Sequence, residues 1–124
     1  MKKKSLLVFF VGLLTCGCQM KEVINEYNVV PLPVTMNEQP GRFYLNSDVP
    51  VVVNASQEVK NIASSLSTTV LDVAGIKLKP GGELHENVPT IVFDSIPGME
   101  KEAYKLSVTP QQIKITASTP NGFY

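Results

Sequence analysis

Residues 51–75 read VVVNASQEVKNIASSLSTTVLDVAG, and within them the apolar pattern changes from that of a strand to that of a helix. Val51, Val52 and Val53 are β-branched, which stiffens χ1 and favours extended backbone; three in a row suit a strand buried on both faces. From Asn54 to Gly75, Val59, Ile62, Ala63, Leu66, Val70, Val73 and Ala74 recur at helical spacing. Lys60, Ser64, Ser67, Thr68 and Asp72 fall mostly on the other side. Asn54 is expected to cap this helix, with Gln57 three residues on as in a capping box. Gly75 stands where a left-handed residue ends a helix. A strand that feeds a one-sided helix needs a sheet for the helix to cover.

The flanking segments supply more of that sheet. Upstream, residues 29–33 (VVPLP) form an extended start, since each proline biases its predecessor away from helix. Residues 34–37 and 42–45 read as short strands joined by the turn Gln39-Pro40-Gly41, a predicted hairpin. Downstream, residues 76–79 suggest a short strand, 80–89 a Gly/Pro loop and 90–93 another strand. Residues 103–108 and 112–117 alternate around Pro110-Gln111. Tyr104, Leu106 and Val108 share one face, as do Ile113, Ile115 and Ala117, which predicts an antiparallel hairpin with one face half-buried and one solvated. Thr119 and Pro120 suit the N-cap and first position of a second helix. The five residues from Pro120 to Tyr124 are too few to be a stable helix alone, so the expectation is an element cut short.

The length of 124 residues suits one domain and excludes a (β/α)₈ barrel, which needs roughly 250. Lys+Arg and Asp+Glu are each 11, so the net charge is zero and there is no electrostatic footprint for nucleic acid. Lys2, Lys3 and Lys4 precede an apolar run over residues 6–14, far short of the ~20 residues that span a bilayer. A basic start before a short apolar run reads as a secretory signal. Thr15-Cys16-Gly17-Cys18 resembles a lipobox, and Cys18, which follows the small Gly17, is the expected lipidation site. Residues 1–17 are then a lipoprotein signal peptide, 18–28 a polar tether and 29–124 the folded domain. The expected location is the cell envelope, with the membrane as a partner through the lipid anchor. The domain itself holds no cysteine, hence no disulfide and no cysteine-based metal site.

No residue of the chain is assigned a catalytic, metal-binding or substrate-binding role, and no cofactor is expected. His85, the sole histidine, lies in a polar loop; a zinc-protease helix would need a second histidine at position 89, which is Pro. Glu83, Glu86, Asp94, Glu100 and Glu102 are scattered, whereas glycosidases place two carboxyl groups across the scissile bond. Gly81-Gly82 lacks the lysine and glycine pattern of a phosphate loop. Asn54-Ala55-Ser56 matches a glycosylation acceptor only formally. Phe43, Tyr44, Phe93 and Tyr104 could stack on a sugar, but their strand positions favour packing.

Two segments together carry a family resemblance: VVPLP at 29–33 with GRFYL at 41–45, and EAYKLSVT at 102–109 with IKITA at 113–117 and TPNGFY at 119–124. In order and spacing they resemble the N-terminal domain of bacterial β-N-acetylhexosaminidases, glycoside hydrolase family 20. The resemblance implies an α+β fold: a mostly antiparallel sheet with two helices on one face, the second cut off after Pro120. This arrangement is often called zincin-like although it lacks the zinc motif. It also implies that a catalytic barrel follows in cis and is absent here, with the glycan reached through that barrel. In the family the substrate's 2-acetamido oxygen attacks the anomeric carbon, assisted by an adjacent Asp-Glu pair. Asp48, Asp72 and Asp94 are followed by Val49, Val73 and Ser95, so this chain has no such pair. The implied role is therefore a supporting domain, inactive alone and of marginal stability. The alternative is a standalone surface lipoprotein that binds glycan or a protein.

Overall fold

The computed structural model describes residues 32–124. The expected signal peptide, Cys18, the tether and residues 29–31 lie outside the described residues. Residues 32–36 belong to an N-terminal unit and are irregular, with Leu32 and Val34 exposed. Residues 37–124 form the second unit.

That unit is built on the strand–helix passage. β1 (Pro50–Asn54) leads into α1 (Gln57–Ala74). Next come β2 (Lys79–Pro80), β3 (Thr90–Ser95), β4 (Tyr104–Val108), β5 (Gln112–Ala117) and a 3₁₀ turn, η1 (Pro120–Phe123). The strands make one sheet in the order β2-β1-β3-β5-β4. The α+β mix agrees with expectation, but the sheet is mostly parallel rather than antiparallel. β1 pairs in parallel with both β2 and β3, and β3 with β5; only β4–β5 is antiparallel. The helix is the reason: a crossover through α1 returns the chain in its original direction, so β2 runs parallel to β1. β4 then makes the downward run at the sheet edge, which lets β5 lie parallel to β3.

Other boundaries differ locally. Asn54 ends β1 instead of capping α1; the N-cap is Ser56, whose side chain makes no capping bond. Gly75 does end the helix, left-handed at φ 68°, with its N–H donating to Leu71 O at 2.9 Å. The hydroxyls of Ser64, Ser65, Ser67, Thr68 and Thr69 each donate to the carbonyl four residues back. This back-bonding satisfies the hydroxyls on carbonyls that the helix already uses, at a slight cost in helix stability. Of the apolar stripe, Val59, Ile62 and Ala63 are buried and Leu66 and Val70 pack at the margin, but Val73 is 82% exposed. Eighteen residues of helix reach about 27 Å, while a five-residue strand reaches only about 17 Å, so the last turn overshoots the sheet.

The predicted hairpin over 34–45 is absent: residues 32–45 contain no strand. Pro33 and Pro40 remove donors from any ladder there. Gly41 instead passes so close to the β4–β5 turn that a Cβ would stand 2.6 Å from the Pro110 ring, and Phe43 packs half-buried on the core. On its helix side the sheet contributes Val51, Ile91, Phe93 and Ala117 to the core, against Val59, Ile62 and Ala63 of α1 together with Val49, Leu78 and Phe123. Val52 and Val92, on the alternate face, are also buried.

Candidate functional site

The residues with chemical potential are dispersed. His85 sits in the exposed loop over 81–89, where its carbonyl accepts the Val88 N–H at 3.4 Å. Glu83 and Glu86 share that loop and are exposed; Glu100 and Glu102 lie on the exposed connection from β3 to β4. Asp94 is occupied, its Oδ2 2.7 Å from Lys114 Nζ. No group of three His, Cys, Asp or Glu side chains among the described residues is placed to hold a metal ion. Of the four candidate sugar-stacking aromatics, Phe93 is buried in the core and Phe43 is half-buried. Tyr44 and Tyr104 are exposed, and Tyr44 lies on no strand, contrary to its expected position.

Among the described residues, two of the concavities open to solvent lie beside groups of chemical interest. The larger, about 600 Å³, lies between β1, the middle of α1 and the loop after β2; its polar lining includes Lys60, Ser64 and a single carboxylate, Glu83. The smaller, about 300 Å³, lies on the sheet face away from α1. Lys105, Ser107, Lys114, Thr116 and Asp94 line it, and its one carboxylate is the Lys114 partner. Neither offers two facing carboxyl groups, the arrangement on which protein-nucleophile glycoside hydrolysis depends.

The feature that sequence reading placed only partly is a surface. α1 packs on β1, β2 and η1, which leaves the β4 side of the same sheet face without a helix. Register puts Tyr104 beside Ala117, Leu106 beside Ile115 and Val108 beside Ile113, so these side chains share the helix-side face. Ile113 and Ile115 are half-buried there, but Tyr104, Leu106 and Val108 are 50%, 54% and 45% exposed. The expectation that the hairpin would bury one face therefore holds for β5 and not for β4. The alternation gave the correct facing; it contained nothing about how far a single helix would reach.

At the chain's end, the structure seats η1 in a small socket. Ser118 Oγ donates to Ile96 O and accepts the Met99 N–H, both at 2.7 Å, and the Thr119 hydroxyl donates to Lys101 O. Pro120 stands at the start of the turn as its fixed φ allows. Gly122 and Phe123 are buried, and the Phe123 ring lies 5.8 Å from that of Phe93. Where the sequence predicted the start of a helix, the structure has a short 3₁₀ turn anchored by an aromatic.

The comparisons with known proteins bear on this geometry. The chain is similar in fold to a family 20 exo-β-N-acetylglucosaminidase from Vibrio harveyi, whose crystal structure contains N-acetylglucosamine; the TM-score is 0.64 at 22% identity. The likeness covers 77% of this chain and 14% of that one, so the chain corresponds to a small part of that enzyme. No curated protein sequence matches the chain. The family model described as glycosyl hydrolase family 20, domain 2, matches residues 26–124, which takes in the whole sheet, α1 and η1, and the chain therefore belongs to that family as its N-terminal, non-catalytic domain.

Proposed function

We propose that this domain supports the catalytic barrel of a β-N-acetylhexosaminidase that removes terminal N-acetylhexosamine from glycans, and that it does no chemistry itself. The family match over residues 26–124 carries the reading. Two features support it: the chain has no Asp-Glu pair, and the β4 half of the helix-side face exposes Tyr104, Leu106 and Val108. Apolar side chains grouped on one face gain free energy when another element covers them, at about 25 cal/mol per Å². In the proposed arrangement, the polypeptide that follows η1 covers that half-face and leads to the barrel.

The test is a fusion of this chain to a family 20 barrel, compared with the barrel alone. The purified chain by itself is expected to leave 4-nitrophenyl N-acetyl-β-glucosaminide intact. The fused barrel is expected to melt higher than the free one, and Leu106→Asp to cancel the gain. Turnover by the chain alone would overturn the reading, as would a barrel indifferent to it.

The envelope location is part of the same proposal and rests on the lipobox-like residues 15–18. Fatty-acid labelling of the chain in a Gram-negative host is expected to survive Cys16→Ser and to disappear in Cys18→Ser. Retention of label in Cys18→Ser would refute lipidation at that residue.

A further inference from the structure

β4 is an edge strand with no partner on its outer side among the described residues. Its backbone alternation follows from the turn. The Thr109 N–H donates to Gln112 O at 2.8 Å, so Thr109–Gln112 is a hydrogen-bonded pair. Stepping back along the register, Ser107–Lys114 and Lys105–Thr116 are hydrogen-bonded pairs as well. The N–H and C=O groups of Tyr104, Leu106 and Val108 therefore point outward from the sheet. These three residues also carry the exposed apolar side chains. The register runs unbroken from Tyr104 to Val108, with no bulge or proline to blunt the edge; Lys105 is its only charged side chain. Such an edge is a template for another strand.

We infer that the occupant is a second copy of this chain, pairing β4 to β4 antiparallel about a two-fold axis at Leu106. In that register Leu106 faces Leu106 of the second copy and Tyr104 faces Val108, so every outward N–H and C=O from Tyr104 to Val108 meets a partner. The apolar side chains of both copies then form one band. On the opposite face Lys105 meets Ser107 of the second copy, and no like charges are opposed. Neighbouring registers are poorer. An axis at Lys105 sets two lysines against each other, and an axis at Ser107 sets Tyr104 against Pro110, which has no N–H to donate. Five residues of edge make a small interface, so association is weak and concentration-dependent. The outward backbone groups of this edge lie beside the face assigned to the rest of the enzyme, while the Tyr104, Leu106 and Val108 side chains belong to both; the inference does not rest on the proposed function.

Sedimentation of the full chain, with Cys16→Ser and Cys18→Ser to remove lipid and stray thiols, tests it through residue 107. Ser107 is exposed on the face away from α1, so its substitution leaves the core intact; circular dichroism checks this. Ser107→Lys opposes like charges twice across the axis and is expected to raise the dimer Kd roughly two- to thirtyfold, while Ser107→Glu places a carboxylate against Lys105 twice and lowers it by a similar factor. In the same background Leu106→Cys is expected to form an intermolecular disulfide, since facing Cα atoms in a hydrogen-bonded pair lie about 5.5 Å apart. Lys105→Cys, which faces serine, is expected not to. A monomer at all concentrations, an association indifferent to the sign of charge at 107, or equal crosslinking from both positions would overturn the proposal.

Discussion

Gly122→Ala is a small substitution with a large expected effect. A Cβ at position 122 would lie 2.5 Å from the Ala103 carbonyl oxygen and 2.8 Å from the Ala117 methyl. Both are closer than real Cβ atoms come to such neighbours. The first is backbone, in a loop tied to residues 117–119 by the Ser118 and Thr119 hydroxyls, and cannot swing aside. Overpacking at a fixed contact costs about 1–3 kcal/mol. The cost also has a ceiling, because the chain can instead release η1. Release gives up chiefly the burial of Phe123 against Phe93, worth about 1.5–3 kcal/mol. Either route predicts a loss of about 1–3 kcal/mol and a melting midpoint lower by about 4–8 °C per kcal/mol for a unit of this size. Thermal and urea melts followed by circular dichroism measure the loss. A double-mutant cycle with Phe123→Ala tells the routes apart: once η1 has been released, removing the ring changes stability by under about 0.5 kcal/mol more. A variant with an unchanged midpoint and an intact Phe93–Phe123 contact, read as a nuclear Overhauser effect, would refute the close-packing argument.

Gly75→Ala tests conformation rather than space, since nothing lies within 4 Å of its Cβ position while φ is 68°. It should cost about 1 kcal/mol in a urea melt; no loss would show that another residue can end α1. Lys114→Met removes the ion pair to Asp94, whose side chains are 41% and 25% exposed. The change should stay below about 1 kcal/mol and shrink further in high salt. Phe93→Ala, at 2% exposure in the middle of the core, should cost about 3–5 kcal/mol in a urea melt.

Local patterns in the sequence determined the parts whose cause is local. Alternation set the facing of Tyr104, Leu106 and Val108 against Lys105 and Ser107, and the β4–β5 register agrees with it. Helical spacing located α1, and Gly75 ended it through its own backbone freedom. Cap assignment was less legible, because Asn54 and Ser56 are both good N-caps and the ladder between Asn54 and Asp94 decides in favour of strand. The hairpin expected at 34–45 shows a further limit. A turn signal between two short runs does not make a ladder when prolines remove its donors and the segment finds the Pro110 turn and the core instead. The absence of an Asp-Glu pair could likewise be read directly, because adjacency in sequence needs no fold. Strand order and direction, the reach of α1 and the seating of Phe123 had no local signature. A strand carries the same alternation whether its neighbour runs parallel or antiparallel; the crossover through α1 made β2 parallel to β1, and a second crossover through the 81–89 loop brought β3 up parallel on the other side of β1. The exposed apolar edge of β4 has the same origin: its side chains are those of a core strand, and the extent of one helix across five strands left them uncovered.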